Sequence, residues 1–434
     1  MSKLMKALAP IIATALVWLL PVPEGLSVEA MRYLAIFIGV VVALITEPIP
    51  SAASGLVGVV LAASLQLVPA AAGKPGDIKS SIAWALSGFS NSTVWLIFIA
   101  FMFALGYERT GLGRRIALLL MKTLGKSTLG LGYAVALADG ILAPFIPSNT
   151  ARSGGTIYPI VGNIPAMYNS LPDNEPRKIG AYLMWTCLAT TTVTSSLFFT
   201  GLAPNLLAMS IVKSSAHIDI TWMEWFKAMA PVGLVLFFAT PLLAYVLYPP
   251  TQKVSPEAPA WAAKELEAMG GLSRREITMG LLALGALLMW IFGDKIMDST
   301  MVALVAMTLM VLLGVVTWND VLGNKQAWNV FIWFATLVTL AGGLDKVGFL
   351  KWFTASCTSM MGGFSVNGVI LGLLLVFYFG HYFFASVTAH VTAMLPIMLT
   401  AAAAVPGMNM KLFAMILCGS LGIMGILTPY GTGP

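Results

Sequence analysis

The feature that most constrains the fold of this chain is a series of long apolar runs without a single charge. Residues 33–46, 277–293 and 301–318 are examples, and runs of this kind approach or reach the roughly 20 residues that an α-helix needs to cross a bilayer. Only 10% of the residues are charged and 58% are hydrophobic, whereas a soluble domain carries about 25% charged residues. The sequence therefore predicts an all-α polytopic membrane protein.

Lysine and arginine are concentrated in the segments that connect these runs. The formal net charge of +6 suggests nucleic-acid binding only in a soluble protein, and here the basic residues match the pattern of cytoplasmic loops. With the amino terminus inside, four crossings lead to a basic amphipathic segment at 109–126, and the hydrophilic loop 249–275 also lies in the cytoplasm. The predicted crossings lie near 7–22, 31–46, 52–69, 86–106, 179–212, 227–248, 276–293, 299–317, 328–344 and 411–427.

Two polar stretches interrupt the apolar sequence. PSNTARSGG at 147–155 is flanked by apolar arms of about 15 residues, each too short to span a hydrocarbon core of about 30 Å, and ASVTAHVTA occupies 385–393. A proline then interrupts the helix that follows each stretch. These features predict two re-entrant hairpins at about 129–170 and 366–404, and two broken helices with breaks at 200–205 and 427–434.

The spacing of glycine and serine reveals an internal duplication. Residues 106–111 align with 343–348 at an offset of 237, and the Ser-X-Thr of the first polar stretch aligns with that of the second at an offset of 238. Five crossings separate the two copies, so the second copy is predicted to be inverted. Inverted repeats with broken helices are typical of secondary transporters, whose binding site lies near the bilayer midplane. Chance similarity between two apolar stretches is the alternative.

The hairpin tips and helix breaks have the chemistry of an anion site. In hydrocarbon, non-helical backbone persists only where it is buried in protein or lines a wet cavity, and helix N-termini attract anions. Membrane serine and threonine residues often bond only helix backbone, but two symmetric Ser-X-Thr tips favour binding of carboxylate oxygens. The predicted tip donors are Ser148, Asn149, Thr150, Ser386 and Thr388.

The chain contains PSNTARSGG, GLAPN, SVTAH and LTPYGTGP, and in these motifs it resembles the divalent anion/sodium symporter family over essentially its whole length. LGYERTGLGRRIALLL at 105–120 and PLLAYVLYPP at 241–250 resemble more narrowly a bacterial exchanger branch. The resemblance implies an eleven-helix homodimer in the bacterial inner membrane that works as an elevator, without cofactor or nucleic acid. It adds substrate contacts at the two breaks, on Pro204, Asn205, Thr428 and Pro429.

The resemblance also implies a division of labour along the chain and a class of substrate. The expected substrates are di- and tricarboxylates of four to six carbons, such as succinate, malate, 2-oxoglutarate, tartrate or citrate. The chain ends at Pro434 inside the second break motif, where the resemblance implies one further helix. The implied parts are a scaffold at 1–126 and 276–360, a transport part at 127–248 and 361–434, and a cytoplasmic loop at 249–275.

The second tip departs from the sodium-coupled members of that family. Val387 stands where those members have asparagine, which removes an expected ligand of a second sodium ion. A dianion that enters against 100 mV, inside negative, faces about 2 × 2.3 kcal/mol. Sodium symport supplies that energy, whereas exchange of one dianion for another cancels the cost. The departure favours sodium-independent antiport, and a sodium-coupled dicarboxylate symporter is the alternative.

A basic residue follows each tip at the same repeat position: Arg152 in the first and His390 in the second. A cation at membrane depth is costly and usually faces a partner or a wet cavity. One hypothesis is that both residues replace bound sodium as fixed cations that compensate the substrate charge. In the alternative, Arg152 snorkels to the cytoplasmic surface and His390 is a neutral packing residue. Asp139, in the descending arm of the first hairpin, is either a packing residue or a proton-coupling site.

An intramembrane enzyme is the remaining class. It would need a nucleophile with its base, or metal ligands, but the chain has three histidines and neither an HExxH nor a GxSxG motif. Cys187, Cys357 and Cys418 lie in apolar surroundings without short spacing, which is typical of small buried hydrophobic residues. The sequence therefore predicts a transporter without a metal site, not an enzyme.

Overall fold

The structure, a computed structural model, describes residues 3–71, 74–293, 295–361 and 364–434. Within these ranges the chain is helical, and pairing of extended segments is limited to isolated bridges. Six described segments are long and apolar enough to cross a membrane, which confirms the all-α membrane class. These segments are Val28–Thr46, Ile78–Thr110, Trp222–Leu247, Arg274–Phe292, Lys325–Lys346 and Val366–Phe383.

The helices are numbered here in chain order. Those before residue 220 are α1 (Lys3–Leu19), α2 (Val28–Thr46), α3 (Ser51–Ser64), α4 (Ile78–Leu86), α5 (Ser92–Thr110), α6 (Leu112–Leu124), α7 (Thr128–Leu142), α8 (Tyr158–Val161), α9 (Asn163–Met167), α10 (Gly180–Leu197) and α11 (Ala203–Ala216). The others are α12 (Trp222–Leu247), α13 (Glu257–Met269), α14 (Arg274–Phe292), α15 (Ser299–Leu312), α16 (Trp318–Gly323), α17 (Lys325–Lys346), α18 (Phe349–Met361), α19 (Val366–Gly380), α20 (Val387–Ala403), α21 (Met410–Gly419) and α22 (Leu421–Met424). Three 3₁₀ turns (Ser87–Ser90, Phe199–Gly201 and His381–Phe383) and a π-helical segment (Thr150–Ile157) complete the described elements.

The described chain divides into two compact units. In the first unit α1 packs along α2, and α18 and α19 pack on α20; in the second, α7 and α12 pack on α10, and α6 packs on α7 and α13. The predicted scaffold and transport parts are defined by which part of the protein moves. The two compact units are defined by packing alone, so the scaffold and transport parts stay a prediction. The first unit comprises 1–98, 206–220 and 326–421, and the second comprises 99–205, 221–325 and 422–434.

Helix boundaries repeat along the chain with the spacing of the duplication. α7 and α19 begin and end at positions shifted by the same 238 residues that separate the tips. Ser127 accepts a hydrogen bond from Gly130 N at the start of α7, and Ser365 accepts one from Gly368 N at the start of α19. Such N-caps satisfy backbone donors that a helix start leaves free. The repeated boundaries therefore have a local cause in sequence, and the inversion of the second copy stays a prediction.

Some predicted crossings are shorter in the structure. α3 and α15 each have 14 residues, which gives about 21 Å, and both end before the predicted 69 and 317. Residues in the left-handed region follow both helices, Gln66 at φ 52° and Gly314 at φ 70°, and such residues stop helix propagation. The hydrophilic loop 249–275 contains a helix of its own, α13, which buries Ala258 and Ala262.

A tight contact in the first unit supports a stability prediction. Tyr33 donates a hydrogen bond to Leu340 O at 2.7 Å, and a Cβ added to Gly343 would overlap the Tyr33 hydroxyl. Gly343→Ala is expected to lower the free energy of unfolding by about 1–3 kcal/mol through overpacking. Tyr33→Phe removes the nearest overlapping atom and leaves the ring carbon Cζ in close contact, so it relieves part of the clash. In thermal unfolding the double variant should therefore lose less stability than the sum of the two single losses. Additive losses would contradict this contact.

Candidate functional site

The first tip connects α7 to the π-helical segment Thr150–Ile157. Ser148 Oγ accepts a hydrogen bond from Ala151 N at 3.2 Å, and Ser148 O accepts one from Arg152 N at 2.8 Å. Asn149 is buried, whereas Thr150 is exposed. The tip serine therefore holds the turn, and π-helical segments of this kind are frequent at functional sites.

The second tip lies in the first unit and uses the same local bond. Ser386 is the N-cap of α20, and its Oγ accepts from Ala389 N at 3.5 Å. Thr388 and Val387 follow in the first turn, and both are buried. The two Ser-X-Thr sequences thus form equivalent turns, each within its own unit.

The first helix break is closed by an asparagine side chain. α10 ends at Leu197, a 3₁₀ turn follows, and α11 begins at Ala203 with Pro204 in its first turn. Asn205 Nδ2 donates to Ser195 O at 2.7 Å and to Phe198 O at 3.3 Å. Asn205 Oδ1 is buried and has no hydrogen-bond partner among the described residues. Phe198 O also accepts from Gly201 N at 2.9 Å, so the amide nitrogen is the donor that satisfies Ser195 O, while the amide oxygen stays available as an acceptor.

The break also pairs with the first tip. Thr200 Oγ1 donates to Pro144 O at 2.6 Å, and Ala203 N donates to Pro147 O at 2.5 Å. Both bonds lie inside the second unit. The non-helical backbone before the tip and the non-helical backbone between α10 and α11 thus satisfy each other.

The second break lies beside the first tip in the same unit. Asn149 Nδ2 donates to Thr432 Oγ1 at 2.7 Å, and Gly433 lies so close to Thr150 that a Cβ would overlap the threonine hydroxyl. Thr428 Oγ1 is buried and finds no partner within the described part of the chain, while Pro429 is exposed. The second unit holds Ser148, Asn149, Thr150, Pro204, Asn205, Thr428 and Pro429, and the first holds Ser386 and Thr388.

Arg152 is fully buried and paired. Its Nε donates to Asp139 Oδ1 at 3.0 Å, and the side chains of both residues are at most 2% exposed. The snorkelling alternative is therefore wrong, because the guanidinium lies inside the second unit against the carboxylate of Asp139 on α7 and does not reach the surface. Asp139 is this ion-pair partner, and it also accepts a hydrogen bond from Thr194 Oγ1. The proton-coupling role of Asp139 and the fixed-cation role of Arg152 both stay hypotheses.

His390 has very different surroundings. It is fully buried, and its ring lies 4.5 Å from Phe377, 5.0 Å from Phe384 and 5.3 Å from His381, measured between ring centroids. Neither ring nitrogen has a hydrogen-bond partner among residues that the structure describes. This edge-to-face aromatic packing agrees with the packing alternative, and within the described ranges no carboxylate bonds to the ring as Asp139 bonds to Arg152.

A run of hydroxyl residues on α10 also belongs to the candidate site, and the sequence analysis does not predict it. Six of the seven residues from 190 to 196 are threonine or serine. The side chains of Thr191, Thr194 and Ser195 accept hydrogen bonds from Arg152 Nη2, and Ser196 Oγ accepts from Ile423 N. Such a dense polar run inside an apolar span was the signal that could have identified them.

Comparison with known proteins agrees with this architecture. The family model described as sodium:sulfate symporter transmembrane region matches residues 1–434. The chain is 47% identical to the L-tartrate/succinate antiporter of Escherichia coli (strain K12), over 98% of this chain and 89% of that protein. It is 46% identical to the L-tartrate/succinate antiporter of Shigella sonnei (strain Ss046), with the same coverage.

A solved structure shares the fold. The YdaH transporter of Alcanivorax borkumensis, whose crystal structure is described as revealing an unusual topology, matches with a TM-score of 0.54 at 11% identity. The match covers 94% of this chain and 88% of the YdaH chain. The family model spans the whole chain, and apolar helices of spanning length are present. The chain is thus an integral membrane protein that belongs to the divalent anion/sodium symporter family of transporters, whose membrane region is the sodium:sulfate symporter domain.

Proposed function

We propose that the protein is an antiporter that exchanges C4 dicarboxylates, with L-tartrate and succinate as the first candidates. The observation that carries the proposal is the similarity to two L-tartrate/succinate antiporters over almost the whole chain. The sodium:sulfate symporter description of the family favours a second candidate, sodium-coupled symport. Val387 at the second tip is the reason to prefer exchange without sodium.

The tips and breaks support the binding chemistry. Helix N-termini and hydroxyl groups are good partners for carboxylate oxygens. Pro204 and Asn205 lie in the first turn of α11, and Ser386 is the N-cap of α20. In the proposed mechanism tip donors bind substrate carboxylate oxygens, and the transport part carries the substrate across the membrane as an elevator. Each inward dianion is matched by an outward dianion, so the membrane potential does no net work on the exchange.

Counterflow in proteoliposomes tests the proposal. Purified protein is reconstituted with unlabelled succinate inside, and uptake of labelled succinate or L-tartrate is followed with and without sodium. Uptake is expected to require internal dicarboxylate and to be independent of sodium. A panel of C4 to C6 carboxylates then gives the specificity. Uptake that needs sodium but no internal substrate would establish symport instead.

The first tip gives a functional prediction. Thr150→Val removes an exposed hydroxyl and is expected to raise the KM for dicarboxylate about 10- to 100-fold, because a hydrogen bond to a charged group contributes about 1.5–3 kcal/mol. Thr251→Val is the matched control, since Thr251 is an exposed threonine in the 249–275 loop. Equal KM values for the two variants would exclude Thr150 from the binding site.

The homodimer and the elevator movement belong to the same proposal. Both come from the family resemblance, and neither is needed for the counterflow result. Light scattering of detergent-solubilised protein is expected to give twice the 46.1 kDa chain mass after subtraction of bound detergent. A monomer mass in a transport-competent preparation would remove the dimer from the proposal.

A further inference from the structure

Arg152 connects four separate pieces of the second unit. Its Nη1 donates to Ile146 O at 2.7 Å and to Gly201 O at 2.8 Å. The first carbonyl lies just before the first tip, and the second lies in the break between α10 and α11. With Nε on Asp139 of α7 and Nη2 on the hydroxyl run of α10, every N–H group of the guanidinium has a partner.

These contacts supply hydrogen-bond donors to backbone carbonyls that no helix satisfies. Ile146 lies in non-helical backbone, and Gly201 is the last residue of the 3₁₀ turn Phe199–Gly201. An unpaired carbonyl costs several kcal/mol where water is absent. A guanidinium carries five donors in a fixed planar arrangement, so one arginine can satisfy both carbonyls and still pair with Asp139. An ammonium group has three donors at a single nitrogen. Lysine at this position would keep the charge but could not reproduce the set of contacts.

We propose that Arg152 and Asp139 form a lock that holds the first tip against the first helix break. In this role Arg152 is a positioning residue: it fixes the turn that carries Asn149 and Thr150, and the break that carries Asn205. Because Asp139 neutralises its charge, Arg152 acts on the substrate through geometry rather than as a fixed cation. The lock does not depend on the proposed function. Only the tests that measure dicarboxylate transport rest on that function.

The second tip shows that the lock is specific to the first. At the spacing of the duplication, His390 occupies the position of Arg152 and Phe377 that of Asp139. His390 packs edge-to-face on Phe377, so the ion pair of one copy is an aromatic pair in the other. The two tips are therefore expected to respond differently to loss of charge, since only the first depends on an ion pair.

Two substitutions separate the lock from the fixed-cation hypothesis. Arg152→Lys keeps a cation but loses the planar guanidinium with its five donors. Asp139→Asn keeps Arg152 but removes the carboxylate charge that neutralises it. The lock predicts that each raises the KM for dicarboxylate by about tenfold or more, because Arg152→Lys leaves buried carbonyls without donors and Asp139→Asn leaves a buried charge unpaired. A fixed cation predicts a nearly unchanged KM for Arg152→Lys and an unchanged or lower KM for Asp139→Asn. Either of these last results would overturn the lock.

Hydrogen exchange of the purified protein provides a readout that needs no transport. In Arg152→Gln and Asp139→Asn, peptides from 143–152 and 198–206 are expected to exchange at least about tenfold faster than in the wild type. Arg177→Gln is the matched control, because Arg177 is an exposed arginine that donates to a backbone carbonyl, Pro249 O. Unchanged exchange in both segments would overturn the lock even if transport fell.

A double variant keeps the proposal testable if a single variant folds poorly. Asp139→Asn combined with Arg152→Gln replaces the ion pair with two neutral amides and leaves no unpaired buried charge. It is expected to be at least as stable in thermal unfolding as the worse single variant; strictly additive losses would contradict a coupled pair. If wild-type protein shows no dicarboxylate counterflow, the proposed function fails, and the exchange measurements still decide on the lock.

Discussion

Replacing Asn205 by alanine is expected to reduce dicarboxylate exchange by about tenfold or more. The substitution removes two hydrogen bonds, from Nδ2 to Ser195 O and to Phe198 O, at a residue that is fully buried. Ser195 O lies in the last turn of α10, where carbonyls lack helical partners. Ser195 O is then left without a donor, which costs about 1–3 kcal/mol, whereas Phe198 O keeps its hydrogen bond from Gly201 N. Each 1.4 kcal/mol is a factor of about ten.

The effect should fall on transport more than on insertion into the membrane. Expression, chromatographic behaviour and initial exchange rates are compared for Asn205→Ala, the wild type and Asn163→Ala. Asn163 is the matched control, because its Nδ2 also bonds a backbone carbonyl, Pro159 O, but at an exposed position. Wild-type exchange in Asn205→Ala would show that the break needs no side-chain support.

The pair Arg115–Glu276 is expected to dominate the stability of the contact between α6 and α14. Arg115 Nε lies 2.5 Å from Glu276 Oε1, both side chains are at most 8% exposed, and Arg115 Nη1 also donates to Gly270 O at 3.0 Å. Removal of one partner leaves a buried charge unpaired, which costs about 3–5 kcal/mol. Arg115→Met and Glu276→Gln should therefore lower the free energy of unfolding by about 3 kcal/mol or more.

The neighbouring pair Arg114–Glu265 provides a matched control. Its charged atoms lie at the same 2.5 Å, but the Arg114 side chain is 54% exposed, and exposed ion pairs contribute about 0–1 kcal/mol. Arg114→Met should therefore cost at most about 1 kcal/mol when both variants are unfolded thermally in the same detergent. Similar losses for the two arginines would contradict the assignment of Arg115 as a buried link.

The two pairs also show that adjacent basic residues can have very different burial, which the composition of the segment does not reveal. Arg114 and Arg115 are adjacent in a basic segment that the positive-inside rule assigns to the cytoplasmic side. In the structure one side chain lies in an exposed ion pair with α13, and the other is buried against α14. The helical rotation of about 100° between neighbours separates their surroundings, and only the packing of α13 and α14 decides which of the two is buried.

Much of the local structure could be predicted from the sequence. The apolar runs predicted the long helices, and proline and glycine predicted the breaks after α10 and near Thr428. Ser127 and Ser365 begin equivalent helices because an N-cap needs only a side-chain oxygen and a backbone N–H three residues away. These properties depend on neighbours within one or two helical turns, so a short stretch of sequence is enough to predict them.

The partner of Arg152 could not be predicted in the same way. The sequence showed that a cation stood at membrane depth and that it needed a partner or a wet cavity. Asp139, Ile146 and Gly201 meet it only because α7, the tip and the break fold onto one point. At the same repeat position, His390 meets aromatic rings. Helix starts, ends and breaks can be predicted from the amino-acid sequence because they depend on neighbouring residues. The pairing of buried polar groups follows only from the folded chain, because it joins residues that lie far apart in sequence.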